Sequence, residues 1–210
     1  MKILLAGATG LVGRHVLEQA LADPRVARVV APSRPPLPAH PKLDNPMVDF
    51  SSLPSSAPWW SVTGVVCTLG TTMRQAGSKE AFRRVDHDYP LALAKHARAH
   101  GATAFALTSS MGASVNTNNF YLRTKGDVEA ALSGCGYPSL TVVRPGLLGG
   151  HRREFRLGER LGLITLRLLG PLLPRRYRIS PADRVARVLL DAAISAQPGT
   201  HIIESENFAA

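Results

Sequence analysis

Lys2-Ile3-Leu4-Leu5-Ala6-Gly7-Ala8-Thr9-Gly10-Leu11-Val12-Gly13 is the stretch whose reading decides the fold. Five residues, mostly apolar, end on a glycine, which reads as a buried strand. Leu11–Ala22 then carries Val12, Val16, Leu17 and Ala20 at helical spacing and stops at Asp23-Pro24. Val26–Ala31 is a second apolar run. Strand, glycine turn, helix and strand within about 30 residues open a nucleotide-binding α/β fold. Glycines at 7, 10 and 13 permit the tight turn and let backbone N–H groups approach a pyrophosphate, with the helix dipole adding favourable charge. The triplet alone is weak; its position between strand and helix makes the whole loop Gly7–Gly13 the expected cofactor cradle.

The end of the second strand lies where an adenosine ribose would sit. An acid there favours NAD, whereas an arginine pairs with a 2′-phosphate. The residues are Ser33 and Arg34, so NADP (NADPH) is expected, with a solvated loop arginine as the other reading. Prolines 32, 35, 36, 38, 41 and 46 leave no room for a helix. The chain therefore crosses in an extended loop to a third strand, Pro46–Phe50. Asp49 and Phe50 at its end would flank the adenine, unless Asp49 only caps the following turn.

Further out the alternation continues. Gly64–Leu69 reads as a fourth strand, Ser78–His100 as a long helix that Pro90 kinks or splits, and Ala104–Thr108 as a fifth strand. Phe120–Leu132 is a helix closed by Gly134 and Gly136, and Leu140–Val143 a sixth strand stopped by Pro145-Gly146. Phe155–Leu173 is leucine- and arginine-rich at helical spacing, Pro181–Ala196 a last helix, and His201–Glu204 an edge strand. The expected architecture is one α/β domain over 1–210: a Rossmann-type, doubly wound parallel sheet. Residues 149–180 would form a small C-terminal helical cap over the strands' C-terminal edge, where such folds bind ligands.

The 210 residues suit one domain, and 45% hydrophobic content argues against disorder. No apolar run reaches the roughly 18 residues of a membrane span, and no signal peptide is visible. A cytoplasmic protein is expected. Two cysteines cannot build a disulfide framework, and Cys67 in its apolar run reads as a buried thiol. Net charge is +10, and between Arg144 and Arg187 eleven arginines face Glu154, Glu159 and Asp183. That half should attract anions. Sparse aromatics and the lack of a reader motif argue against nucleic acid. Phe155–Tyr177 has an apolar stripe with arginines, as membrane-surface helices do, but its leucines recur on more than one face, which favours a cap helix.

Tyr121 and Lys125 stand one helical turn apart on one helix face. A free phenol has pKa about 10 and is a poor acid–base group at neutral pH. A nearby ammonium stabilises the phenolate, and the same lysine could hold a nicotinamide ribose. Ser109 and Ser110 end the fifth strand. A serine there could hydrogen-bond a substrate carbonyl beside Tyr121, and strand alternation favours Ser110 over Ser109.

The glycine triplet, Ser110, and the pair Tyr121 and Lys125 fall in the order of the short-chain dehydrogenase/reductase superfamily, which this chain resembles. The branch it is most similar to is the atypical Tat-interacting-protein oxidoreductases. The resemblance is carried by Cys67-Thr68-Leu69-Gly70-Thr71-Thr72, Arg84-Val85-Asp86-His87-Asp88-Tyr89, Ser109-Ser110-Met111-Gly112-Ala113, the run Asn119–Glu129, and Arg144-Pro145-Gly146. It implies that Thr68, Leu69 and Gly70 line the ribose and pyrophosphate side, that Pro145, Gly146 and Leu147 lie beside the nicotinamide, and that NADPH is the bound form. Two departures stand out. The asparagine of the main branch's catalytic tetrad has no clear match, Asp86 lying in the corresponding helix region, and the Ser110–Tyr121 spacing is slightly short.

The expected function is hydride transfer between NADPH and a carbonyl or alcohol substrate. Arg152, Arg153, Arg156 and Arg160 would rim the pocket, which suits an anionic or amphipathic compound. The alternative is an NADPH-bound regulatory or protein-interaction module without turnover. A homodimer is a further expectation, since helix faces such as Phe120–Leu132 could pair across a two-fold axis.

Overall fold

The computed structural model describes residues 1–149 and 174–208. Strands β1 (Lys2–Ala6), β2 (Arg28–Val30), β3 (Leu43–Asp44), β4 (Gly64–Cys67), β5 (Ala104–Thr108), β6 (Ser139–Arg144) and β9 (Gly199–Glu204) form one sheet in the order β3-β2-β1-β4-β5-β6-β9. Every neighbouring pair is parallel. A second, two-stranded sheet pairs β7 (Leu148–Gly149) with β8 (Ser180–Pro181). The helices that flank the large sheet are α1 (Leu11–Ala22), α4 (Tyr89–Ala99), α5 (Phe120–Ser133) and α6 (Ala182–Ser195); short α2 (Met73–Ala76) and α3 (Lys79–Arg83) follow β4.

Strand alternation divides the core into two layers. Ile3, Leu5, Val29 and Val66 face Val12, Val16 and Ala20 of α1 and Val185, Leu189 and Leu190 of α6. Leu4, Ala6, Val65, Phe105 and Leu107 face Leu93 and Ala97 of α4 and Val128 and Leu132 of α5. A strand buried on both sides has no polar face, which is why these segments read as continuous apolar runs. Helices on both faces and reversal of strand order beside β1 define the doubly wound fold. The reversal opens a crevice at the C-terminal ends of β1 and β4. There Ala6 pairs in register with Cys67, and Cys67 with Leu107, so the loops after β1, β4 and β5 emerge side by side.

Two expectations need correction. The third strand is Leu43–Asp44, and Pro46–Phe50 contributes only the isolated bridge Ser33↔Met47. Asn45 explains the early end: its side chain donates to Ala31 O and Ser33 Oγ and accepts from Leu37 N, drawing the chain off the ladder. The segment 78–100 is two α-helices joined by a π-turn, Arg84–Asp88. The π-turn immediately precedes Pro90, and its wider repeat, with Tyr89 N–H reaching back to Arg84 O, accommodates a proline within continuous helical backbone. The helix expected over Phe155–Leu173, with Arg152, Arg153, Arg156 and Arg160, lies outside the described residues. The part of the cap that is described is the β7–β8 pair and a 3₁₀ turn at Arg175–Tyr177.

Candidate functional site

The loop after β1 is shaped by close approach. Gly7 has φ +91°, and a Cβ on it would lie 2.6 Å from Thr68 Oγ1. A Cβ on Gly13 would lie 2.0 Å from Gly7 O. Both glycines are therefore demanded by the turn itself. Gly10 differs: it is exposed, and its Cβ would meet only Gly7 O, at 3.3 Å. Gly10 is also the N-cap of α1, and no side chain among the described residues caps that end. The first-turn N–H groups of α1 thus face the crevice without an acceptor of their own, which fits a pyrophosphate. Thr68 holds the loop from beneath, its hydroxyl donating to Ala6 O at 3.0 Å and Gly7 O at 3.2 Å. Ala8 is buried, Leu11 and Val12 start the helix, and Thr9 O accepts from Arg14 Nε at 3.0 Å.

On the β2 side Ser33 is buried, donating to Pro35 O at 2.6 Å, while Arg34 is exposed. Asp49 accepts from Ser51 N at 2.8 Å, and this hydrogen bond, aided by the charge of Arg34, holds its carboxyl below the usual range. Phe50 is buried and stacks on Tyr89, ring centres 6.0 Å apart.

Beyond β4 the backbone passes Leu69 and exposed Gly70 to Thr71. Here the structure adds a residue that sequence reasoning left without a role. Asp86, 1% exposed, holds Lys125 Nζ at 2.7 Å from Oδ1, and its Oδ2 accepts from Thr71 N at 2.8 Å. Burial works to lower the Lys125 ammonium, but the charge and hydrogen bond of the Asp86 carboxylate outweigh burial and hold it above the ordinary lysine value. The Cys67 thiol, buried at the end of β4, is pushed up to about 12 by desolvation and is inert.

Asn119 caps α5 by accepting from Leu122 N at 3.1 Å, which sets Tyr121 in the first turn and Lys125 one turn on. The Tyr121 ring packs on buried Phe82, centres 5.6 Å apart, and remains 36% exposed. The two serines after β5 part company. Ser109 is buried and donates its hydroxyl to Glu129 Oε1, a carboxylate also held by Arg144. Ser110 is half-exposed, and among the described residues its Oγ makes a 3.4 Å contact to Met111 O. Pro145 is buried and accepts from Met111 N at 2.9 Å, Gly146 N donates to Ser180 Oγ at 3.1 Å, and Leu147 is exposed. The loops after β5 and β6 thus lie against each other at the crevice mouth.

Two findings escaped the sequence reading. Asp86 lacked any periodic signal pointing it at Lys125. Glu129, Arg144 and Glu204 form a network spanning α5, β6 and β9, visible only once the strands pair. No group of residues able to hold a metal occurs among the described residues.

No family profile matches the chain. It is 34% identical to protein HTATIP2 of Rattus norvegicus over 96% of this chain and 84% of that protein. It is 34% identical to the mitochondrial protein fmp52 of Emericella nidulans over 80% of this chain and 76% of that protein. Among solved structures, MoeE5 in complex with UDP-glucose and NAD superposes with a TM-score of 0.73 at 17% identity, covering 96% of this chain and 75% of that one. At that identity the likeness bears on the fold. The expectation of a cytoplasmic protein is corrected by the relatives, since the fmp52 proteins of E. nidulans, Aspergillus clavatus and Aspergillus fumigatus are named mitochondrial. Composition and hydropathy do not encode a cellular address, which is read by receptors.

Proposed function

Since the chain belongs to the family of the HTATIP2 and fmp52 proteins, we propose that it is an NADP(H)-dependent oxidoreductase of short-chain dehydrogenase/reductase type, acting on a carbonyl or alcohol compound. One observation carries the reading: the in-register ends of β1, β4 and β5 bring the glycine loop, the Asp86–Lys125 pair and the loop bearing Ser110 to a single crevice. MoeE5, with the same fold, was solved with NAD; the choice of NADP here rests on Arg34.

Residues 7–13, Thr68–Gly70 and Pro145–Leu147 would hold the dinucleotide, with Ser33 and Arg34 at its 2′-phosphate and Asp49 and Phe50 toward the adenine. When bound, the reduced nucleotide supplies hydride to the carbonyl carbon. Tyr121 donates its phenolic proton to the carbonyl oxygen. Ser110 orients that oxygen by a hydrogen bond, and Lys125 faces Tyr121 from the next turn.

The test is titration with NADPH and NADH by reduced-nicotinamide fluorescence, in the wild type and in Arg34→Ala. Preference for NADPH that the variant loses supports the reading. Binding of neither nucleotide would refute it. A Tyr121→Phe variant that binds NADPH but loses turnover separates an enzyme from a nucleotide-bound regulatory module.

A further inference from the structure

Asp86 and Lys125 bury opposite charges at 1% and 6% side-chain exposure, 2.7 Å apart. Such a pair is a poor stabiliser, because two desolvated charges regain little more than a well-packed apolar pair would. Its placement carries more information. Asp86 lies in the π-turn Arg84–Asp88, where an extra residue in the helical repeat re-aims side chains, a device frequent at functional sites. Its second oxygen is anchored by the Thr71 N–H on the loop after β4. Gly70 lies against the pair: a Cβ there would stand in ordinary contact, 3.4 Å from Asp86 Oδ1 and 3.9 Å from Lys125 Nζ. The two carboxylate oxygens thus tie the loop that would line the nucleotide to the lysine that faces Tyr121.

We propose that Asp86 is the positioning residue of the site, clamping Lys125 so that the crevice receives a directed N–H from a neutral pair in place of a free charge. The proposal rests on the oxidoreductase reading above. It departs from a lysine whose whole charge is available to the phenol and the nucleotide. The groups facing Lys125 are Asp86 from the π-turn, Tyr121 from α5 and Cys67 from β4. Cys67, at about 12, stays protonated below pH 10, and with Lys125 held charged by Asp86 nucleotide binding is expected not to follow Lys125 between pH 7 and 9.5.

Asp86→Asn removes the charge and leaves one oxygen for Thr71 N–H while its amide N–H₂ turns toward Lys125, a change that destabilises the fold, so both measurements are made below the variant's own melting temperature. Without its counter-ion a buried ammonium sheds its proton more easily. Two measurements follow on protein carrying [13Cε]lysine, with the Lys125 signal assigned by Lys125→Arg. In the wild type that signal stays in its charged position through pH 10; in Asp86→Asn it titrates at least one pH unit lower. NADPH affinity between pH 7 and 9.5 is flat in the wild type and falls about tenfold in Asp86→Asn. Repeating both in a Tyr121→Phe background removes the phenol from the titration. An unmoved Lys125 signal overturns the proposal, as does a variant binding profile parallel to the wild type. If the wild type binds no nicotinamide nucleotide, the oxidoreductase reading fails and the carbon signal alone decides the clamp.

Discussion

Ser109 is hydrogen-bonded through its hydroxyl to the buried carboxylate of Glu129, and this bond takes it out of the crevice. Ser110, its neighbour, is half-exposed, and among the described residues no side chain holds its hydroxyl. Two adjacent serines therefore have separable roles. Ser109→Ala should destabilise the fold by about 1–3 kcal/mol by leaving a buried acceptor under-satisfied, with NADPH affinity unchanged. Ser110→Ala should leave stability within about 0.5 kcal/mol and lower carbonyl reduction about 100-fold. Thermal unfolding and turnover measured on both variants decide it; equal rate losses would sink the assignment.

The glycines make a similar division. Gly13→Ala would drive a methyl to 2.0 Å from Gly7 O, a backbone atom. The turn cannot yield, and a loss of about 3 kcal/mol or outright misfolding is expected. Gly10→Ala meets that oxygen at a workable 3.3 Å, so the protein folds at a cost near 1 kcal/mol. Its methyl enters the space assigned to the pyrophosphate, and NADPH affinity should fall at least about tenfold through the lost N–H approach. Wild-type affinity in folded Gly10→Ala would remove the cradle from the crevice.

How far the sequence carried is clear from where it failed. Fully buried strands such as β1 and β4 announce themselves, because both faces must be apolar. β3 has two residues, too few for any period to show, and Asn45 ends it through side-chain bonds that depend on Ala31 and Ser33 being adjacent in space. Pro90 marks an irregularity in 78–100, but a π-turn at Arg84–Asp88 has no compositional marker. The glycine loop, Tyr121 and Lys125 could be read from local spacing. Asp86 could not, since its meaning comes from a partner on another helix. Trp60 is likewise tertiary: it is buried, donates to Pro54 O at 2.7 Å and stacks on His96 at 5.0 Å.

Phe82 supplies the floor for Tyr121. It is fully buried and also meets the Phe120 ring edge-on, centres 5.8 Å apart. Phe82→Leu keeps an apolar side chain and should cost only about 1.5 kcal/mol. The flatter support for the phenol is lost, and small misplacement of a proton donor is expensive in rate. Turnover should fall about tenfold while NADPH affinity holds. A variant that loses affinity in step with rate would show that Phe82 supports the crevice as a whole.

Acid stability should be governed in part at the far end of α1. Asp23 accepts from Arg25 in a two-pronged contact, Nη2 to Oδ2 at 2.6 Å and Nε to Oδ1 at 3.0 Å. Arg25 also reaches Asp191 of α6 at 2.8 Å, so the pair braces the helices that cover one face of the sheet. The arginine hydrogen bonds bring the Asp23 carboxyl from 3.8 down to about 2. A carboxylate whose folded pKa is depressed contributes stability above its unfolded pKa and loses it as pH falls through the folded one. The contribution is therefore complete above about pH 4 and disappears toward pH 2. Melting temperatures of wild type and Asp23→Asn should differ at pH 5 and converge as pH approaches 2. A constant gap across that range would mean that Asp23 acts through its hydrogen bond to Arg25 N, which the amide oxygen alters equally at every pH.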